Sequence, residues 1–318
     1  MTAPARPRLA LCIPAYNAAA HLPRLLDSVR AQTRPFDEVL LYDDASTDNT
    51  SELARAFGAT VVRTEHNTGP SIGKNVLAQT ATSEWVHFHD ADDALYPEFV
   101  ARTHALMDAQ MDVVLFDTED RDDVTHEVLH RRQWDDAALR ADAIRYNIDH
   151  TVTNCGVYRR EAFLGIGGFD TDESTKYNED QAMHLRLAVS GFRFCAAGYA
   201  GIIIYRRSGS MSSGNAVACA RAHYHVLEKV AMQTGAQYAD ALGNELWRTA
   251  GVSGGFLDWA YARRSVDLAR RLGWHDPVKE SAEFRWLARI HPMLAVRVRE
   301  ALVRLLKPRL RDGVPTVR

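Results

Sequence analysis

Leu9-Ala10-Leu11-Cys12-Ile13-Pro14-Ala15-Tyr16-Asn17 is an apolar run that meets a proline and then turns polar. With Arg6 and Arg8 before it and Ala18-Ala19-Ala20 after it, the run imitates a secretory leader, but it is short and Pro14 interrupts it, so a buried first strand is the better reading. Downstream, Leu22, Leu25, Leu26 and Val29 recur at helical spacing on a helix predicted to end near Gln32. Strands follow at Val39–Tyr42, Thr60–Arg63, Trp85–His89 and Val113–Phe116. Between them lie helices around Thr50–Phe57, over Ser71–Thr80, and from Pro97, a residue suited to a first helical turn. Strands alternating with helices make parallel βαβ units, so the chain predicts a doubly wound α/β sheet of the nucleotide-binding kind.

The 318 residues suit two domains, or one large fold with an appendage. Hydrophobic residues at 46% and charged residues at 25% exclude disorder as the main state, and a net charge of -3 gives no reason to expect a nucleic-acid partner. Cys12, Cys155, Cys195 and Cys219 are far apart, which speaks against structural zinc and a disulfide framework. No window is apolar enough to span a bilayer.

Beyond Asp117 the charged stretch Thr118–Asp142 reads as a loop with a short helix. A strand is expected near Val152–Tyr158, a turn over Gly165–Asp170, a helix at Glu179–Ser190, and two strands at Phe194–Ala197 and Ile202–Tyr205. From about Ala216 only helical periodicity remains. The expected domains are 1–215, with halves meeting near 117, and a helical extension over 216–318.

Ligands of open α/β sheets bind beyond the carboxyl ends of the strands, and two acidic clusters fall there. In Asp43-Asp44-Ala45-Ser46-Thr47-Asp48-Asn49-Thr50, helix capping accounts for the later residues but poorly for the adjacent carboxylates of Asp43 and Asp44. In His87-Phe88-His89-Asp90-Ala91-Asp92-Asp93, three carboxylates within four residues repel one another, and a divalent cation would relieve them. Magnesium-type sites use one or two carboxylates plus substrate phosphates. Ala94 and Leu95, where a calcium loop needs Asp or Asn and Gly, exclude an EF-hand. His87 and His89 could open a zinc site, but hydrogen-bonded histidines are favoured because further ligands are not evident. Gly69-Pro70-Ser71-Ile72-Gly73-Lys74-Asn75 fails the Walker pattern, leaving Lys74 as either a diphosphate contact or a solvated lysine.

Together, Ile13–Asn17, Ser28-Val29-Arg30-Ala31-Gln32-Thr33, the Asp43–Thr50 cluster and Asp90-Ala91-Asp92-Asp93 resemble the family 2 glycosyltransferases of GT-A fold, in order and spacing as well as residues. Gly167-Gly168-Phe169-Asp170, Asn178-Glu179-Asp180 and Arg186-Leu187-Ala188 followed by Gly191 look like that family's acceptor-side segments. The resemblance covers roughly Leu9 to Ser213. It implies inverting sugar transfer from a nucleotide diphosphate-sugar, assisted by Mg²⁺ or Mn²⁺. Pro14, Ala15, Tyr16 and Asn17 would line the nucleotide pocket, with Asp43 beside them, and Asp44 would meet the base. Asp90, with Ala91, would approach the ribose, Lys74 the diphosphate, and Asp92, aided by Asp93, would hold the metal of a DXD motif. Asp180, in the Glu179-Asp180 pair, matches the general base. Two departures stand out: Lys74 where many relatives have Arg, and Ser208 near a usual His.

A sugar-phosphate nucleotidyltransferase would open with a Gly-rich basic loop where Pro14–Asn17 stand. A non-catalytic nucleotide-sugar-binding scaffold is the other alternative, and retention of Asp92 and Asp180 argues against it. Between Arg285 and Arg318, nine Lys or Arg face two acids, a net +7, leaving -10 for the rest. Leu294, Val298, Ala301, Leu302 and Leu305 lie among them at helical spacing, as in a basic helix on an anionic membrane or one packed on the catalytic domain. The expectation is therefore a cytoplasmic protein, peripheral at the inner face of the membrane, with a glycan or lipid-linked acceptor. Trp247, Trp259, Trp274 and Trp286 are expected to fill a helical core.

Overall fold

The computed structural model describes residues 6–107, 110–207, 214–277 and 280–317. The chain forms two compact units: one comprises the residues up to Tyr146 with Val152–Thr171 and Arg186–Arg207, the other Asn147–Thr151, Asp172–Leu185 and everything after Arg207.

The first unit is built on a nine-stranded sheet of order β3-β2-β1-β4-β8-β6-β9-β5, with β7 beside β6. Its parallel half consists of β1 (Leu9–Ala15), β2 (Glu38–Asp43), β3 (Thr60–Arg63) and β4 (Trp85–Phe88). All of Leu9 to Ile13 is wholly buried, as a strand covered on both faces requires. Helices α1 (Leu22–Arg30), α2 (Thr50–Phe57) and α3 (Pro70–Thr80) connect these strands. α1 buries the four residues Leu22, Leu25, Leu26 and Val29, the stripe that the sequence spacing predicts.

The other half is mixed. β5 (Ala94–Leu95) runs antiparallel to β9 (Phe194–Arg206), and β8 (Gly156–Arg159) is antiparallel to both β4 and β6 (Val113–Asp122). Here two expectations change. β6 continues six residues past Phe116 and pairs with β7 (Val128–Arg132), so the stretch taken for a loop is a hairpin. Charge hid it: buried Glu119 sits between Arg121 and Arg131, which offset its desolvation. The two strands expected over Phe194–Tyr205 are one, β9, paired with β6 through two register shifts around Asp117. A short helix, α7 (Arg160–Gly165), precedes the expected turn. The remaining helices of this unit are α4 (Phe99–Leu106) and α5 (Asp136–Ala141), and α6 (Ala143–Asp149) starts in it.

The second unit is helical. α8 (Glu179–Val189) starts in it, and α9 (Ala216–Thr234), α10 (Ala239–Gly255), α11 (Trp259–Arg271), α12 (Ala282–Ile290) and α13 (Pro292–Leu306) complete it. Trp247 is buried, and Trp274 lies so close over Gly243 that a Cβ there would run into its indole. Trp286 does not fill a core: it is 65% exposed. Among the described residues no helix is long and apolar enough to cross a membrane.

Candidate functional site

Strand register brings the carboxyl ends of β1, β2 and β4 together: Ala15 pairs with Asp43, and Cys12 with Phe88. The loops that follow are tied to one another. Asn17, at φ 47°, donates its backbone N–H to the Ser46 hydroxyl at 2.9 Å, and its side-chain oxygen accepts from the Thr47 N–H at 2.8 Å. The left-handed conformation, tolerated by Asn, aims both groups at the neighbouring loop. Tyr16 beside it is exposed, with an accessible ring.

Asp43 and Asp44 have different roles. Asp43 is wholly buried and accepts from the Ser46 N–H at 2.9 Å, the Ser51 hydroxyl and Arg63 at 2.8 Å. Burial alone would push its carboxyl up, but the two serines and Arg63 overcome that and hold it below the usual range. Asp44 accepts the Thr68 N–H at 2.6 Å and hydroxyl at 2.9 Å on one oxygen, and the Gly69 N–H at 2.8 Å on the other. A carboxylate oxygen has two lone pairs, so the oxygen bonded to Gly69 can accept one more donor. Repulsion between adjacent carboxylates is thus relieved largely by protein donors. Arg63 is a partner that the sequence reading missed, hidden as the last residue of a short strand.

The acidic loop leaves β4 and is caught by the far half of the sheet. Ala94 and Leu95 pair with Ile203 and Ile202, and Asp93, nearly buried, accepts the Tyr205 N–H at 2.8 Å. Burial, then Asp92 and Asp90, pushes the Asp93 carboxyl well above the usual range. Asp92 is more accessible, pairs with Arg207 at 2.8 Å, and is raised by burial and by Asp90. Its carbonyl accepts from Arg24, whose other nitrogen reaches Asp123 at 2.7 Å and whose guanidinium lies 3.6 Å over the Tyr205 ring. Two guanidinium nitrogens here, Arg24 Nε and Arg207 Nη1, are buried without a hydrogen-bond partner. A buried orphan donor beside a carboxylate cluster is what an anionic ligand would satisfy.

The donor set of Asp90, Asp92 and Asp93 is hard oxygen and chemically fits Mg²⁺ or Mn²⁺. Among the described residues no three His, Cys, Asp or Glu side chains converge to cage an ion. An ion here would take its other ligands from water or substrate.

Lys74 is not a solvated lysine. It is 2% exposed, 4.0 Å from Asp90 and 4.7 Å from the Phe169 ring centroid. Its neighbour Asn75 clasps the backbone of Phe169, accepting its N–H at 2.7 Å and donating to its carbonyl at 3.0 Å. Arg186 donates to the Gly168 carbonyl at 2.6 Å and to that of Ile166. The Gly167–Phe169 segment is therefore fastened from both sides. The Ser28–Thr33 motif fastens a segment in the same way. The Ser28 hydroxyl accepts from the Leu95 N–H, while Gln32 donates to the Tyr96 carbonyl at 2.9 Å and accepts from the Val100 N–H at 3.1 Å.

His87 and His89 are buried and share a hydrogen bond of 3.0 Å, with His87 Nδ1 donating to the Gly156 carbonyl at 2.8 Å. Burial depresses both, His87 to about 4. They are core histidines.

Glu179 and Asp180 open α8 within the second unit. Asn178 donates to the Gln181 side-chain oxygen at 2.7 Å, which also accepts from His223 Nδ1 at 2.8 Å. Nε2 of His223 meets Glu245 at 2.6 Å, and Glu245 pairs with Arg248. This chain of bonds fixes the first turn that carries the two acids. His223 and Glu245 lie far along the sequence in segments of plain helical pattern, so nothing in the sequence pointed to them. Ser208 lies outside the described residues.

Residues 10–167 match the model of glycosyl transferase family 2. The chain belongs to this family. It is 38% identical over 91 residues to an uncharacterized glycosyltransferase of Haemophilus influenzae, covering 28% of this chain and 31% of that one. It is 26% identical over 245 residues to the succinoglycan biosynthesis protein ExoU of Rhizobium meliloti, covering 68% and 67%. The chain thus spans less than a third of the Haemophilus relative. Among solved structures, S. aureus TarS 1-349 in complex with UDP-GlcNAc superposes with a TM-score of 0.73 at 21% identity, covering 94% of this chain and 92% of that one. The mannosyltransferase PcManGT of Pyrobaculum calidifontis, in complex with GDP-Man and Mn²⁺, gives 0.60 at 19%, covering 96% and 82%. These likenesses show the fold, GT-A.

Proposed function

We propose that the protein transfers a sugar, with inversion, from a UDP-sugar to a hydroxyl of a glycan or lipid-linked acceptor in cell-surface polysaccharide or glycolipid assembly. The observation that carries this reading is the acidic loop, where Asp92 stands at an accessible edge beside two guanidinium donors that lack partners. Supporting it, two solved structures of this fold are complexes with nucleotide-sugars, UDP-GlcNAc in one and GDP-Man in the other.

In this reading Asp44 offers its remaining lone pair to a base N–H, and Pro14, Ala15, Tyr16 and Asn17 wall the nucleotide, braced from below by Asp43. Asp90 and Ala91 face the ribose. Asp92 holds Mg²⁺ or Mn²⁺, and Asp93, committed to the Tyr205 amide, sets the loop's geometry and adds charge. Bound there, the metal supplies Lewis acidity toward the departing diphosphate. Lys74, Arg24 and Arg207 add fixed positive charge where negative charge develops. Asp180, with Glu179 next to it, accepts the proton of the attacking hydroxyl as general base. The reaction runs in the cytoplasm, at the membrane's inner face.

Release of free nucleoside diphosphate from UDP-, GDP- and dTDP-sugars, with and without Mn²⁺, tests this. Metal-dependent release from a UDP-sugar, lost by about a hundredfold or more in Asp92→Ala, is the expected result. Nucleotide binding without turnover in the presence of acceptor extracts would favour the scaffold. No binding at all would end the reading.

A further inference from the structure

α13 has two apolar faces, and among the described residues only one is covered. Ala295, Val296 and the buried Glu300 look into the second unit, where Glu300 holds Arg304 and Arg311. At about 100° per residue, Leu294, Val298, Leu302 and Leu305 fall within roughly a quarter of the helix circumference, opposite Val296 and Glu300, with Leu306 and the buried Ala295 at its margin. Val298 and the four leucines are 40 to 75% exposed. Trp286 and Ile290, one turn apart on α12, are exposed too, as is Leu310. An exposed apolar stripe of this length marks an interaction surface.

Charge decides between occupants. The structure neutralises much of the net +7: Arg285 and Arg289 share Asp276, Arg299 meets Glu280, and Arg304 and Arg311 share Glu300. Arg297, stacked 5.0 Å over Trp259, and exposed Lys307 and Arg309 have no carboxylate partner among the described residues. A second copy laid on this stripe would set these cations against one another. An anionic lipid surface would pair them and bury the leucines.

We infer that the solvent face of α13, with Trp286 and Ile290, docks in the interface of a bilayer containing anionic phospholipid, Lys307 and Arg309 lying at headgroup level. This deepens the peripheral-membrane part of the proposed function and rests on it.

The test is cosedimentation of the full chain with vesicles of phosphatidylcholine alone or mixed equally with phosphatidylglycerol. Wild type should pellet with the mixed vesicles and be released by salt. Leu305→Glu with Leu306→Glu should lower the partition about tenfold or more, and Lys307→Ala with Arg309→Ala several-fold. Because these side chains are exposed, solution nucleotide binding and the unfolding midpoint should stay unchanged in both variants. Wild type in the supernatant with either vesicle, or a leucine variant that binds as well as wild type, overturns the inference. So does a lipid-free dimer that the leucine variant dissociates. Vesicle binding without donor turnover would sink the transferase reading alone; turnover without vesicle binding would sink this one alone.

Discussion

Acidification tests the core beneath the site. His87 is wholly buried, and burial takes it from 6.5 to about 4. Between those values the unfolded chain binds a proton that folded His87 refuses, so its contribution to stability falls as pH drops from 6.5 and levels off below 4. At about 1.4 kcal/mol per tenfold in proton affinity, the full loss is ~3 kcal/mol, of which about 2.5 kcal/mol is expressed by pH 4.5. His89 adds to it with the same sign. Asp93 acts oppositely: its raised carboxyl takes up a proton on folding as pH falls, which stabilises the folded state. Asp43 and Glu119, both held low, give up their contributions only at more acidic pH. The overall curve mixes these effects, so the measurement is a difference. His87→Gln keeps a side-chain donor for the Gly156 carbonyl and removes the titration. Urea unfolding of both proteins from pH 7 to 4.5 should show wild type losing about 2.5 kcal/mol relative to the variant. A difference constant across that range would refute the burial argument.

Two other substitutions follow from the geometry. Gly168→Ala drives a Cβ into the Asn75 side-chain oxygen at φ +73°, and should lower stability by about 2 kcal/mol or more in thermal unfolding, while Gly165→Ala, with open space around it, should move the midpoint little. His223→Ala cuts the bond chain to the first turn of α8; if Asp180 is the base, kcat should fall several-fold with donor KM unchanged, and His223→Gln should recover part of it.

The parallel half of the fold was legible because its strands are continuous apolar runs and α1 carries an unbroken stripe. The hairpin of β6 and β7 was not, since Glu119, Arg121 and Arg131 satisfy one another across strands and so look like a solvated loop in sequence. The acidic clusters announced themselves through repulsion that local capping could not explain. Two of their protein partners did not, because Arg24 and Arg63 come from distant segments and a lone arginine carries no pattern. The motifs at Ser28–Thr33 and Gly167–Phe169 were visible as signatures, but their role as fasteners needed coordinates.

The loops after β1, β2 and β3 are cross-tied through Asn17, Ser46, Asp44, Thr68 and Gly69 by a mixture of backbone amides and side chains. For anyone wishing to retool the protein for another nucleotide, this is a poor place to start. Swapping a residue there unfastens a neighbouring loop along with the contact intended, so trade-offs between recognition and folding would dominate a library built on those positions. Exposed Tyr16 holds no such tie among the described residues and offers the freer entry point.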